Sequence, residues 1–326
     1  MNHRKIKREN IKKTNIVMGI YILIFLTIGL LGETIWRAAS LPYDVSLPTG
    51  MSITFKQIFA GDIFPLFTLI MIGISVGIIV MTIKFGNKLM LSGTTNIFLN
   101  DKENLSSSER QVLNIVEELK ISSRLRFMPD VYIIEEAYMN AFASGWREEN
   151  AMVAITRGLL DKLNRAEIEA VLAHEMAHIK NADVRLTLVV GILTNVMLMA
   201  VDILFYSVIG RGNSNNKAMQ QARIVIYILR FLLPLLTIVL QLYISRTREF
   251  MADAGSVEFT GDKDAMISSL LKISGDYEKN GRYYEEKTKE NSARQYAEIF
   301  SPKKLFSTHP TLEERIKSLG GELPQA

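Results

Sequence analysis

Two histidines and a glutamate stand together in the run Leu172-Ala-His-Glu-Met-Ala-His-Ile179. On a helix of 3.6 residues per turn, His174 and His178 share a face, so both imidazoles can reach one ion while Glu175 lies beside its water. The chemistry these types allow is zinc-assisted hydrolysis: two nitrogens hold the metal and the carboxylate moves a proton. The bare pattern also arises by chance on amphipathic helices, so its surroundings decide. Asn164-Arg-Ala-Glu167 has the form of a capping box, and Ile168, Val171, Leu172, Met176 and Ile179 fall at helical spacing. A helix over residues 164–180 follows. Around the ligands Ala173, Met176, Ala177 and Ile179 are uncharged, which suits a partly buried site, and only four histidines occur in the whole chain.

The elements that must position this helix are set by hydrophobicity. Of 326 residues, 48% are hydrophobic, the mean hydropathy is positive, and the apolar residues are gathered in long runs. Residues 14–32 hold no charge over 19 positions and residues 63–83 none over 21, each enough to cross about 30 Å of hydrocarbon. The first run exceeds the apolar core of a cleaved signal peptide, about 7–15 residues, and reads as an uncleaved anchor. Two further segments, 186–210 and 223–245, carry one charge each past their first residues, Asp202 and Arg230. Both residues are 14 positions from 216, the centre of the polar turn 211–221, so in an antiparallel hairpin they lie at similar depth. Ionisable groups inside a membrane normally find partners, which predicts an Asp202–Arg230 pair.

The expected architecture is a mainly α membrane protein with four transmembrane helices, at about 14–36, 63–83, 186–210 and 223–245, plus a cytoplasmic α+β zincin-like domain of the gluzincin type with a small sheet. Its divisions are a basic tail and hairpin over 1–84 with an external loop at 38–62, a catalytic region over 85–184, a second hairpin over 185–245, and a C-terminal catalytic part over 246–326. Arg4, Lys5, Lys7, Arg8, Lys12 and Lys13 precede the first span, whereas the 38–62 loop has only Lys56, so both termini and the 85–184 region face the cytoplasm. Within that region a helix opens at Ser106-Ser-Ser-Glu109, and residues 130–135 and 151–155 read as strands.

The absence of cysteine excludes disulfides, thiolate ligands and cysteine nucleophiles. The net charge of +4 is partly the basic tail beside the membrane, whose natural partner is an anionic lipid surface; no aromatic-basic pattern supports nucleic acid.

A catalytic zinc needs a third protein ligand. His3, His309 and many carboxylates are candidates, and the ligand must share a membrane face with His174, which requires an even number of crossings between them. Glu249 meets that requirement just after the fourth span. Asp253 lies four residues on, on one helical face, where it can accept from a ligating imidazole. The alternative is a solvated charge cluster of Arg246, Arg248, Glu249 and Asp253. For His309 and Arg315 the plain reading is a His-Pro turn opening an amphipathic helix from 311 to 319.

At this point the chain resembles the HtpX-type membrane zinc metalloproteases, relatives of the prenyl-protein endoproteases. The likeness rests on Met139-Asn-Ala-Phe-Ala-Ser-Gly145, residues 154–160, His-Glu-Met-Ala-His with its Asn181-Ala-Asp183 follower, Arg248-Glu-Phe-Met-Ala-Asp-Ala-Gly-Ser256 and Ser307-Thr-His-Pro-Thr-Leu-Glu-Glu-Arg315, in the family's order. The resemblance implies one Zn²⁺ per chain held by His174, His178 and Glu249, with Glu175 as general base and Asp253 supporting a ligand. It implies that Asn140 lines the substrate cleft and that His309 and Arg315 hold substrate or the oxyanion. Residues 151–156 resemble the edge strand on which such enzymes lay an extended peptide. It further implies an endopeptidase of the bacterial inner membrane acting on misfolded or damaged membrane proteins or other unfolded polypeptides. Arg157 and the Lys- and Glu-rich segment 274–304, a lid or an insertion, depart from the family pattern. Two rivals of other classes are a membrane scaffold with a dead site and a zinc transporter.

Overall fold

The computed structural model describes residues 2–38, 44–209, 217–243, 246–290 and 310–322. The chain divides into two compact units. Met1–Thr14, Ile83–Gly191 and Gln241–Ala326 make the first, and Asn15–Thr82 with Ile192–Leu240 the second.

The first unit is built round a four-stranded sheet and the helices that cover it. Its strands are β1 (Asn96–Phe98), β2 (Asp130–Ile134), β3 (Ala141–Ser144) and β4 (Met152–Thr156), in the spatial order β1-β2-β4-β3. β2 and β4 run parallel, with Val131 opposite Val153, while β1 and β3 pair antiparallel to them. The strand next to β4 on its outer side is therefore β3. That corrects the expectation that residues 151–156 form the edge: β4 is paired on both sides and has no ladder groups left for a peptide. β1 and β3 escape a reading of the sequence because they are 3 and 4 residues long.

Helix α4 (Ser107–Ser123) starts at a complete capping box between Ser106 and Glu109. Its Val112, Ile115, Val116 and Leu119 are buried with Val131 and Ile133 of β2 and with Ile168, Val171 and Leu172 of α6 (Arg165–Asn181). Each such side chain contributes roughly 1.5–3 kcal/mol when removed from water. α5 (Arg157–Lys162) joins β4 to α6, and α9 (Arg246–Thr260), α10 (Lys263–Glu290) and α11 (Leu312–Ser318) complete the unit. α6 is the centre of it. Every residue from 170 to 177 is buried, because the sheet, α4, α9 and α10 all pack on this one helix. Of the segment 274–304, residues 274–290 continue α10 through a non-helical kink at Asn280, and 291–304 lie outside the described residues.

Among the described residues, four helices are long and apolar enough to cross a membrane: parts of α1 (His3–Ala38), α3 (Leu66–Leu91), α7 (Val184–Ile209) and α8 (Lys217–Tyr243). In the second unit, Val17, Tyr21, Phe25 and Ile28 form a buried stripe on α1, and Tyr21 shares a hydrogen bond of 2.6 Å with Thr194. Gly29 lets α1 meet α3; a Cβ there would lie 2.7 Å from the Thr68 Cα. α3 exposes Leu69, Ile70, Ile74, Val76, Val80 and Met81, an apolar surface that water would penalise and lipid solvates. Part of the expected external loop is a helix, α2 (Leu47–Ala60), capped by Ser46 and ended by left-handed Gly61; residues 39–43 lie outside the described residues, as do 211–216 of the polar turn.

Asp202 and Arg230 do meet, at 3.2 Å, with the guanidinium also 4.1 Å from the Phe205 ring centroid. Charge reversal at either position is expected to lower the unfolding free energy in detergent by about 1–3 kcal/mol, read from denaturant unfolding. The Asp202→Arg, Arg230→Asp double variant should recover part of that loss; no recovery would mean that the pair does not couple the two helices.

Candidate metal centre and active site

α6 reaches the site from a firmly anchored start. Asn164 Oδ1 accepts from the Glu167 main-chain N–H at 3.0 Å, the Glu167 carboxylate accepts from the Asn164 N–H at 2.8 Å, and Lys272 and Ser268 of α10 also bind Glu167. The helix ends at Ala182, whose left-handed backbone (φ 54°) reverses the chain and sets Asp183 beside His178.

His174 Nε2 and His178 Nε2 are 3.1 Å apart, and the Glu249 carboxylate oxygens lie 3.7 Å from the first and 3.8 Å from the second. Tetrahedral coordination with zinc bonds near 2.0 Å separates ligand atoms by about 3.3 Å, so this donor set already has the spacing of a metal site. Glu249 arrives on α9, which lies against α6 with no room to spare: a Cβ at Gly255 would stand 2.6 Å from the Ala177 Cβ.

The other ring nitrogens are held by carboxylates. His174 Nδ1 is 2.9 Å from Asp253 Oδ1, and His178 Nδ1 lies 3.0 and 3.1 Å from the two oxygens of Asp183. An imidazole that donates its Nδ1–H to a carboxylate turns the Nε2 lone pair toward the cluster, as a metal ligand requires. The carboxylates are compensated in turn. Arg315 of α11 donates to both oxygens of Asp253, at 2.8 and 2.6 Å, and Arg248 donates to the Asp183 carbonyl at 3.0 Å and to Thr187 at 3.1 Å.

The balance favours positive charge at the cluster. Burial by itself disfavours a charged His174, yet hydrogen bonds to Asp253 and Glu249 outweigh it and push the ring up to about 9. His178 moves up as well, against its burial, because of Asp183. Burial would raise Asp253, but Arg315 and His174 hold it below the usual carboxylate range. Glu175 differs: burial, with the nearby Glu249 charge, raises it above the ordinary value despite the two histidines and the main-chain N–H of Ala143. A carboxylate adjusted in that direction is suited to taking up and releasing a proton near neutral pH.

The structure thus gathers His174, Glu175, His178, Glu249 and Asp253 into one buried cluster. Asn140 stands at the head of β3, its carbonyl accepting from the Thr156 N–H at 2.9 Å. Arg315 sits behind His174 and donates to both oxygens of Asp253. His309 lies outside the described residues. Asp183, within the Asn181-Ala-Asp183 motif, has no role that the sequence by itself assigns; only the left-handed turn at Ala182 brings it to His178. Arg248 was missed too, since a basic residue beside a span reads as solvated, and only the fold buries it. Arg157, which departs from the family pattern, pairs with Glu135 at 2.5 Å. Past its kink, α10 brings Tyr284 to the segment before β3, where its hydroxyl accepts from the Met139 N–H at 2.8 Å.

The sequence pattern described as Peptidase family M48 matches residues 106–323. A protein of Helicobacter acinonychis (strain Sheeba) described as a protease HtpX homolog is 41% identical over 98% of both chains. One of Listeria monocytogenes serotype 4a (strain HCC23) with the same description is 34% identical over 77% of this chain and 91% of its own. The crystal structure of Ste24p from S. mikatae aligns with a TM-score of 0.44 at 18% identity, covering 82% of this chain and 64% of that one.

Replacing Asp183 with Asn should weaken divalent-metal affinity about 10–100-fold, measured by equilibrium dialysis of the purified full chain. Unchanged affinity would mean that the Asp183–His178 contact does not tune the site. Gly255→Val should cost about 1–3 kcal/mol by overpacking and lower metal occupancy, since it pushes Glu249 away from the histidines.

Proposed function

The chain belongs to peptidase family M48 and is an HtpX-type membrane metalloprotease, and on that premise we propose that it is a zinc endopeptidase cleaving misfolded or damaged membrane proteins at the cytoplasmic face of a bacterial inner membrane. The observation that carries the reading is the convergence of His174 Nε2, His178 Nε2 and the Glu249 carboxylate beside a buried Glu175. Two imidazoles and one carboxylate, with no sulfur, are a donor set that zinc accepts while keeping a position open for water. Bound there, zinc would supply a Lewis acid that polarises a carbonyl and lowers the pKa of its water to about 7.

The chain's own residues do the rest. Glu175, raised by burial and steadied by the Ala143 N–H, takes the proton of the attacking water and returns it to the leaving amine. Asp253 and Asp183 keep His174 and His178 in the orientation that ligation needs, and Arg315 keeps Asp253 ionised. The substrate lies along β3. Asn140 faces β4 through its hydrogen bond to Thr156, so by the alternation of an antiparallel pair the main-chain groups of Ala141 and Ala143 point away from β4. An extended peptide that pairs with the Ala141 groups and the Ala143 carbonyl, the Ala143 N–H being taken by Glu175, needs no particular side chains, which suits a protease acting on many unfolded partners. Asn140 lines the same cleft.

Topology follows from the basic tail: residues Arg4 to Lys13 hold the N-terminus in the cytoplasm, and the same face receives both α6 and α9. A scaffold with a dead site is disfavoured because ligands and base are all present. A transporter is disfavoured because His174 and His178 are on α6, outside the four long apolar helices.

Purified in detergent with zinc, the protein is expected to cleave casein, and Glu175→Gln to lose about 10²–10⁴-fold in rate while retaining its metal. Chelation should abolish cleavage and added zinc restore it. Equal cleavage by the parent and Glu175→Gln would overturn the mechanism.

A further inference from the structure

Away from the metal cluster, the first unit holds a cavity of about 320 Å³ lined by Lys7, Arg126, Phe127, Arg147, Glu148, Glu149 and Arg185. Four cationic side chains face two carboxylates, and one of the two is already engaged. Glu148 accepts from the Arg126 main-chain N–H and lies 3.7 Å from Lys7 Nζ. Among the described residues, the guanidinium groups of Arg126, Arg147 and Arg185 enter no ion pair within 4.0 Å. Arg185 feels the like charge of Arg147 and the opposite charge of Glu149. Protein carboxylates thus leave the cavity with positive charge in excess, although the planar donors of Arg147 and Arg185 suit a bidentate oxyanion.

Location narrows the anion. Lys7 is seven residues before the charge-free run that begins at residue 14, and Arg185 is the second residue of α7, followed at once by Leu186 and a further apolar stretch. Both side chains therefore come from places where a chain enters the bilayer. Trp146 stands beside them with the Arg185 guanidinium 5.5 Å from its ring, and Phe127 adds an exposed apolar edge, a combination typical of the headgroup layer.

We propose that this cavity binds the phosphate of an anionic phospholipid, with Arg147 and Arg185 gripping the phosphodiester and Lys7 and Arg126 adding charge at its rim. The site ties the first turns of α1, the start of α7 and the connection after β3 to one lipid headgroup. It rests on the reading that α1 and α7 enter a membrane and is independent of whether the protein cleaves peptides.

The test is binding by the full-length chain in a neutral detergent, carried out on the Glu175→Gln variant so that self-cleavage does not interfere. Thermal unfolding midpoints are measured against dioctanoyl phosphatidylglycerol, dioctanoyl phosphatidylcholine and inorganic phosphate. Phosphatidylglycerol should raise the midpoint in a saturable manner and phosphatidylcholine should not. The Arg147→Gln, Arg185→Gln double variant should raise about thirtyfold the phosphatidylglycerol concentration needed for the shift, while an Arg147→Lys, Arg185→Lys variant, which keeps the charge, should retain part of the affinity. A phosphate shift equal to that of phosphatidylglycerol and lost in the double variant would overturn the lipid and leave a soluble phosphate as the ligand. Equal shifts with both lipids would overturn the site. So would a phosphatidylglycerol shift indifferent to the arginines; should the double variant not fold, Arg126→Gln read in the same way decides.

Discussion

Everything at the metal cluster depends on how closely α9 lies against α6. The two histidines come from one helix and can be placed by helical periodicity alone, but Glu249 belongs to another helix and has to be carried to them. A side chain at position 255 would hold the helices apart, since even one methyl group would stand 2.6 Å from Ala177. Ala173 and Ala177 on α6 and Ala252 on α9 keep the rest of the contact small, all of them buried. Tight packing of small residues is what brings a carboxylate oxygen within 3.7 Å of one ring nitrogen and 3.8 Å of another.

Such packing excludes water, and the exclusion decides the electrostatics. His174, Glu175, Glu249, Asp253 and Asp183 are all nearly inaccessible, so none of their charges can be left to solvent. Each imidazole is met by a carboxylate on its outer nitrogen. The carboxylate that serves His174 is met by an arginine, and the one that serves His178 has Arg248 on its own carbonyl. The inner face of the cluster is then where uncompensated negative charge remains, and that is the face shared by the two Nε2 atoms and Glu249.

The parts of this site that the sequence makes legible are those set by local periodicity. The helix over residues 164–180 is announced by its capping box, and the structure places α6 at Arg165–Asn181 with both capping hydrogen bonds formed. The parity of membrane crossings led to Glu249, and equal depth in a hairpin led to Asp202 and Arg230. Asp183 was hidden because its placement depends on one residue of left-handed backbone at Ala182, a conformation that alanine rarely adopts and that no propensity would anticipate. The edge of the sheet was misjudged for a related reason. A short unbroken apolar run marks residues 151–155 as a strand but says nothing of what lies beside it, and the four residues of β3 are too short to declare themselves. Arg315 was legible by its own surroundings only as part of an amphipathic helix, and by the family resemblance as a residue for substrate or oxyanion, not as the partner of Asp253, since their encounter joins positions 62 apart.

That last pairing has a consequence for assembly. The order His174, Asp253, Arg315 runs through α6, α9 and α11, and each link satisfies a charge that would otherwise be buried alone. Removing Arg315 would leave Asp253 with only His174, and removing Asp253 would leave a buried arginine and an unsupported ring, each costing about 3–5 kcal/mol. The site therefore cannot be half-built. α11, although short and distant in sequence from the histidines, supplies the arginine that, with His174, holds this orienting carboxylate below its usual range, which makes the geometry of the metal cluster a property of the whole folded unit. The same dependence explains why a chain with two of its ligands within one helical turn nonetheless needs residues up to Arg315 to complete the site.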